Sequence, residues 1–200
     1  MSNQRITINN NYFFIPDYYQ KVDSMPGDPE GSVPYMVQTK NAMCFAMIFP
    51  IDASQAMPKS KEALISGIRQ YLEENQGLIQ VEAGEDHVYS IVKTLKEEGG
   101  VQYTLTYHKF FPDGVVNIQG FFDEIGITGL RDNIAYEMCR SLNLVGNDDD
   151  PLAGWARDPY DENYKKGALM NLSELEEFDE QFPGSALSMC RELVKIIEEA

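Results

Sequence analysis

The feature that most narrows what this chain can fold into is a run of four apolar–polar alternations between residues 78 and 122. Leu78 to Ala83, His87 to Leu95, Val101 to Phe111 and Val115 to Phe122 each repeat with period two, the signature of a strand with distinct faces. Gly84-Glu85-Asp86, Glu98-Gly99-Gly100 and Pro112-Asp113-Gly114, which separate them, are turn sequences of hairpin length. Short hairpin loops force neighbouring strands to run antiparallel, so this region predicts a meander.

Upstream, Ile6 to Ile8 and Tyr12 to Ile15 read as short strands about Asn9-Asn10-Asn11, ending at Pro16. Met25 to Pro34 holds three prolines and two glycines and predicts an irregular loop. Tyr35 to Thr39 and Ala42 to Ile51 predict a hairpin about Lys40-Asn41. The second strand is apolar on both faces, which predicts a central strand covered on both sides. A helix capped by Ser60 follows, with Leu64, Ile68, Tyr71 and Leu72 on one face and Gly77 as its stop.

Beyond the meander, Thr128 predicts the cap of a second helix reaching Asn143. Its apolar stripe is Leu130, Ile134, Met138 and Leu142, extended by Ile127. Gly146 to Pro151 is a polar break. A last helix from Ser185 groups Leu187, Cys190, Val194 and Ile197. These elements predict an α+β fold: an antiparallel meander sheet with flanking helices, plus a C-terminal helical extension. The expected division is a core over 1–146 and an acidic extension over 147–200 whose terminal helix docks on it, since 50 residues make a marginal core alone.

The formal charge is −16. Residues 144–200 carry 5 basic and 14 acidic groups, and the first 143 carry 11 and 18. Nucleic acid and anionic membranes are bound through Lys and Arg contacts with phosphate, so neither is expected as a partner; acidity for solubility alone is the plainer reading of this balance, and steering of a basic protein partner is the other. No apolar run approaches the roughly 18 residues of a membrane helix, so no membrane insertion is expected. Nor does the N-terminus read as a signal peptide. Cys44, Cys139 and Cys190 are odd in number, far apart and set among apolar residues. They read as reduced, buried thiols, and a cytoplasmic setting is expected.

Catalytic motifs are missing from the sequence. His87 and His108 share no ligand spacing with each other or with a cysteine, there is no GxSxG, and no glycine-rich loop opens a helix. Asp148-Asp149-Asp150 with Asp158 and Asp161 lacks the glycine and closing glutamate of a calcium loop, and reads as a solvated linker. No cofactor and no metal are expected. Methionine is adaptable and tyrosine amphipathic, and both recur at protein-binding surfaces. Tyr18, Tyr19, Met36, Met43, Met47 and Trp155 are therefore the candidate partner-binding residues, with core packing as the other reading for Met43 and Met47 and a pin for the extension as that for Trp155.

Tyr12-Phe13-Phe14-Ile15-Pro16 on a strand pair, then a long hairpin, a crossover helix, a four-strand meander and a closing helix, together resemble the PsbP-like fold over about residues 5–143. DcrB-like proteins share that fold, as does a nuclear import factor that binds the small GTPase Ran. The resemblance implies a sheet flanked by helices used as an adaptor, without a catalytic site in many members. Some bacterial DcrB-like members look like chaperones that shield apolar helices of secreted effectors. The acidic tail lies outside the pattern. The expected function is a non-enzymatic, cytoplasmic protein-binding adaptor, chaperone or immunity-type protein, its partner basic or apolar-helical. A small-molecule or lipid-binding module with an apolar cavity, and an unrecognised small-molecule enzyme, are the alternatives.

Overall fold

Two consecutive asparagines in left-handed backbone open the fold. The computed structural model describes residues 2–199. In it β1 (Asn3–Ile8) and β2 (Asn11–Pro16) pair across Asn9, at φ 46°, and Asn10, at φ 68°. Positive φ at both central residues makes a type I′ turn, whose twist matches that of the strands, and asparagine tolerates it.

The chain continues through β3 (Gln20–Lys21), β4 (Val33–Gln38), β5 (Ala42–Ile51), α1 (Lys61–Arg69), β6 (Gln76–Ala83), β7 (His87–Leu95), β8 (Val101–Phe111) and β9 (Gly114–Glu124). It ends with α2 (Leu130–Ser141), the short pair β10 (Ala156–Arg157) and β11 (Met170–Asn171), and α3 (Ala186–Glu198). Seven strands form one sheet in the order β3-β4-β5-β9-β8-β7-β6, with every neighbouring pair antiparallel. This is the expected α+β architecture, and the meander forms where its turns predict it.

One face of the sheet carries Cys44, Ala46, Ile48, Phe122, Ile118, Leu105, Tyr107 and Ile91. Against it lie α3, through Leu187, Cys190, Leu193, Val194 and Ile197, and the β1–β2 hairpin, through Ile6, Ile8, Phe13 and Ile15. On the other face α1 covers only the β6–β7 end, where Leu64 meets Leu78, Val81 and Val88.

Four local details differ from expectation. Gly77 does not stop α1, which ends at Arg69; it lies inside β6. Tyr71 falls beyond α1 and is exposed. Thr128 does not cap α2: Gly129, at φ 70°, occupies that position, and its N–H donates to Glu124 Oε1 at 2.8 Å. The third helix begins after Ser185 as expected, while β3, two residues long, carries no periodicity that could have announced it.

Candidate binding surface

The antiparallel register lets the α1-side face be read row by row. Met36 sits opposite Phe45, Phe45 opposite Phe121, and Phe121 opposite Thr104. Pro34 faces Met47, Gln119 and Thr106 in turn, and Gln38 faces Met43, Asp123 and Gln102. Apolar side chains thus fill this face along β5, with Met36 of β4 and Phe121 of β9 on either side of Phe45. Gln38, Gln119, Asn117 and Asp123 flank them. On β8 the face carries Gln102, Thr104, Thr106, His108 and Phe110 before apolar residues return on β6 and β7 under α1. Met36, Met43, Phe45, Met47, Phe49 and Phe121 stand outside the three apolar clusters of the interior. Met36 is 41% exposed and Met43 37%, with the other four half-buried. The expectation that β5 is covered on both sides is therefore corrected. Its Ala42, Cys44, Ala46 and Ile48 face is buried, but α1 is too short and too far along the sheet to reach the other.

The second helix reverses its expected packing. Leu130 (37% exposed), Ile134 (42%), Met138 (38%) and Leu142 (67%) face outward, as does Ile127. The buried side is Arg131, Ala135 and Cys139. Arg131 decides this: its Nε donates to Ser173 O at 2.7 Å, and its Nη1 and Nη2 donate to Ser188 Oγ at 2.8 Å and Asp179 Oδ1 at 2.9 Å. A buried guanidinium needs those acceptors, so the face that carries it turns inward. Ala135 and Cys139, one and two turns on, are small enough to let the helix approach Phe178 and Val145.

The candidate residues do not form one site. Tyr19 is 2% exposed and belongs to the core. Tyr18 is half-buried; its hydroxyl donates to Glu192 Oε2 at 2.6 Å, and burial raises its pKa. Tyr18, Met36, Val37, Met189 and Glu192 line a cleft of about 680 Å³ where the two-residue β3 leaves β4. Met36, Met43 and Met47 share the open part of the sheet. Trp155 stands edge-on to Tyr136 at 5.2 Å, among Ala135, Cys139 and Phe178.

Several polar groups of the interior are tied into packing, whereas the Tyr19 and Tyr107 hydroxyls, Arg69 Nε and Asn117 Oδ1 are buried without a hydrogen-bond partner among the described residues. Lys93 Nζ lies 2.8 Å from Glu174 Oε2, and Tyr103 donates to Glu174 Oε1 at 2.9 Å. His108 Nδ1 accepts the Met57 N–H at 2.9 Å. His87 lies between Asp86 and Glu198, at 3.0 and 3.1 Å, and stacks on Tyr107 at 5.5 Å, joining the end of α3 to the β6–β7 turn. Gly84 makes room for that ring, since a Cβ there would sit 2.3 Å from it. In the acidic run, Asn147 Oδ1 accepts the N–H groups of Asp149 and Asp150, shaping a turn. No group of three or more metal-ligating side chains occurs among the described residues. No helix among them is long and apolar enough to cross a membrane.

Burial pushes Cys44 up to about 12 and raises Cys190 and Cys139 as well. Thiol reactivity follows the thiolate. Ellman's reagent at pH 8 is expected to titrate none of the three in the native chain and all three in guanidinium. Rapid labelling of one native thiol would contradict this packing.

No family model and no curated protein matches the chain by sequence. Among solved structures it is similar to the Ran-binding protein Mog1p of Saccharomyces cerevisiae. That match has TM-score 0.41 and 7% identity, over 68% of this chain and 84% of that one. It is also similar to PA94, a Pseudomonas aeruginosa protein of unknown function, with TM-score 0.36 and 10% identity over 72% and 94% of the two chains. Both likenesses concern the course of the backbone and neither bears on side chains.

Proposed function

We propose that this chain is a non-enzymatic, protein-binding adaptor or chaperone-type protein of the cytoplasm that receives an apolar segment of its partner on the uncovered part of its sheet. The observation that carries the reading is an apolar strip on that face, Met43, Phe45, Met47 and Phe49 along β5 with Met36 and Phe121 beside Phe45, which no helix covers. Contiguous exposed apolar area of this kind marks interaction sites on soluble proteins, and each Å² removed from water there is worth about 25 cal/mol. Methionine lets such a surface adapt to its occupant. Residues 1–146 carry the docking face in this reading, and residues 147–200 act as a clamp, through α3 on the opposite face and through Tyr160 beside α1. Membership of the PsbP-like and DcrB-like fold belongs to the same proposal.

The test is a photo-crosslinking amino acid placed at Met43 in the cell of origin, with exposed Tyr71 as control position. Discrete adducts at Met43 that vanish with Phe45→Asp, and none at Tyr71, are expected. Phe45→Asp should leave the melting temperature within a few degrees, as for substitutions away from the core. Equal adducts at both positions, or none at Met43, would remove the proposal. The cleft beside Tyr18 has the volume of a small-molecule site. Thermal stabilisation by a lipid or metabolite panel, without adducts at Met43, would favour that second reading.

A further inference from the structure

In the cleft beside Tyr18 the charge of Glu192 is unanswered. The Tyr18 hydroxyl donates to Glu192 Oε2 at 2.6 Å and steadies the half-buried carboxylate. Its Oε1 accepts no hydrogen bond, and neither oxygen has an ion-pair partner among the described residues. Lys195, one turn further along α3, is exposed and makes no ion pair with it. We infer that this cleft binds an organic amine, its ammonium group against Glu192 and its apolar body along Met36, Val37 and Met189. The inference rests on the small-molecule reading of the cleft given above and specifies the ligand; it needs no protein partner on the sheet.

Charge selects a cation. No Lys, Arg or His lines the cleft, and Glu192 is the one acidic side chain among its walls. A carboxylate whose only side-chain donor is a neutral phenol gains most from a charged donor, because charge-assisted hydrogen bonds are about twice as strong as neutral ones. The chain's net −16 favours the approach of a cation and opposes that of an anion. The remaining walls select an apolar body. Met36, Val37, Pro183 and Met189 offer hydrocarbon and thioether surface, and about 680 Å³ lies within the range of small-molecule sites.

The sheet edge supplies a second acceptor. The Thr39 N–H donates to Ala42 O across the β4–β5 turn, whereas Pro34 O accepts the Val22 N–H on the β3 side. Backbone groups alternate along an antiparallel strand, so Pro34, Met36 and Gln38 turn theirs toward β3. That strand begins at Gln20, opposite Met36, which leaves Gln38 beyond its end with carbonyl and N–H on the open edge beside the cleft. An ammonium group has three donors, and the Gln38 carbonyl is available to one of them. A partner strand would find only this residue to pair with, too little for strand addition, so the edge suits a small ligand.

The probes are three molecules of one shape and different charge: phenylbutylamine, phenylbutanol and phenylbutyrate. Each is titrated through the millimolar range into the full isotope-labelled chain and followed by amide chemical shifts. The amine is expected to saturate, with shifts at Tyr18, Gln38, Met189 and Glu192. It should bind about tenfold or more tighter than the alcohol, as a hydrogen bond to a charged group implies, and the carboxylate should not bind. Glu192→Gln, which keeps an oxygen for the Tyr18 hydroxyl, should lower the amine to the affinity of the alcohol. Glu74→Gln, exposed before the opposite edge strand β6, should leave the series unchanged. Met36→Ala should weaken amine and alcohol alike. Equal binding of amine and alcohol in the cleft would overturn the ammonium assignment and leave a small-molecule site; saturation by none of the three would overturn both. Shifts spread over Asp148 to Asp150 and other surface acids would make the amine a diffuse counterion and also overturn the inference. The comparison of the three probes on the wild-type chain involves no variant, and near-UV circular dichroism checks the fold of each variant.

Discussion

Glu174→Ala is expected to lower the unfolding free energy by about 3–5 kcal/mol, the range for removing one partner of a buried ion pair. Glu174 is almost wholly buried. Its carboxylate accepts from Lys93 Nζ at 2.8 Å, Tyr103 Oη at 2.9 Å and the Asn171 N–H at 2.7 Å. Alanine leaves an ammonium and a phenol in the interior with no acceptor. The cost then comes from the orphaned groups more than from the lost attraction. The double variant Lys93→Met, Glu174→Leu removes both charges and fills the space, and should recover most of the loss. Urea titration of the two singles and the double gives the answer as a cycle. A double as unstable as Glu174→Ala would place the cost in the shape of the 3₁₀ turn Leu172–Glu174 and not in the orphaned groups.

Gly77→Ala is expected to cost about 3 kcal/mol and to release the segment between β10 and β11 from the sheet. A Cβ at Gly77 would stand 1.6 Å from the carbonyl oxygen of Ala168 and 2.7 Å from its carbon, and backbone cannot yield as a flexible side chain can. Here the tail crosses β6: Ala168 N–H donates to Gln76 O at 2.8 Å, and Gly167, at φ 73°, passes so near that a Cβ would meet Gln76 O at 2.3 Å. Two glycines therefore permit one crossing. Tyr160, whose hydroxyl accepts the Val81 N–H at 2.6 Å, and the ion pair of Arg69 with Asp158 hold the same strap further along. Native-state hydrogen exchange should show the Ala168 amide losing protection while β8 and β9 keep theirs. Unchanged protection at Ala168 would mean that the crossing tolerates a methyl group.

Turn chemistry and strand period are local, and both are legible in the sequence. Asn9-Asn10, Gly99-Gly100 and Pro112-Asp113 supply backbone conformations that no distant contact need impose, and the alternations between them cannot be satisfied by a helix. Much of the candidate site is visible there too, since Met36, Met43 and Met47 stand out by residue type alone. That they share one face with Phe45 and Phe121 needs the register of β5 on β9, a pairing across about 75 residues of chain.

The order and type of the elements, the meander, the apolar inner face of α3 and the acidity of the chain follow from residues 2–199 read as a string, because each depends on spacing within a few turns of backbone. Which apolar stripe stays in water is decided only in three dimensions. Leu130, Ile134, Met138 and Leu142 look like a core face until Arg131 finds Ser173 and Ser188, 42 and 57 residues away. Gly77 looks like a helix stop until Ala168 arrives above it. Periodicity says that a face is apolar; whether another surface reaches it is set by long-range packing and by where a buried charge can be satisfied.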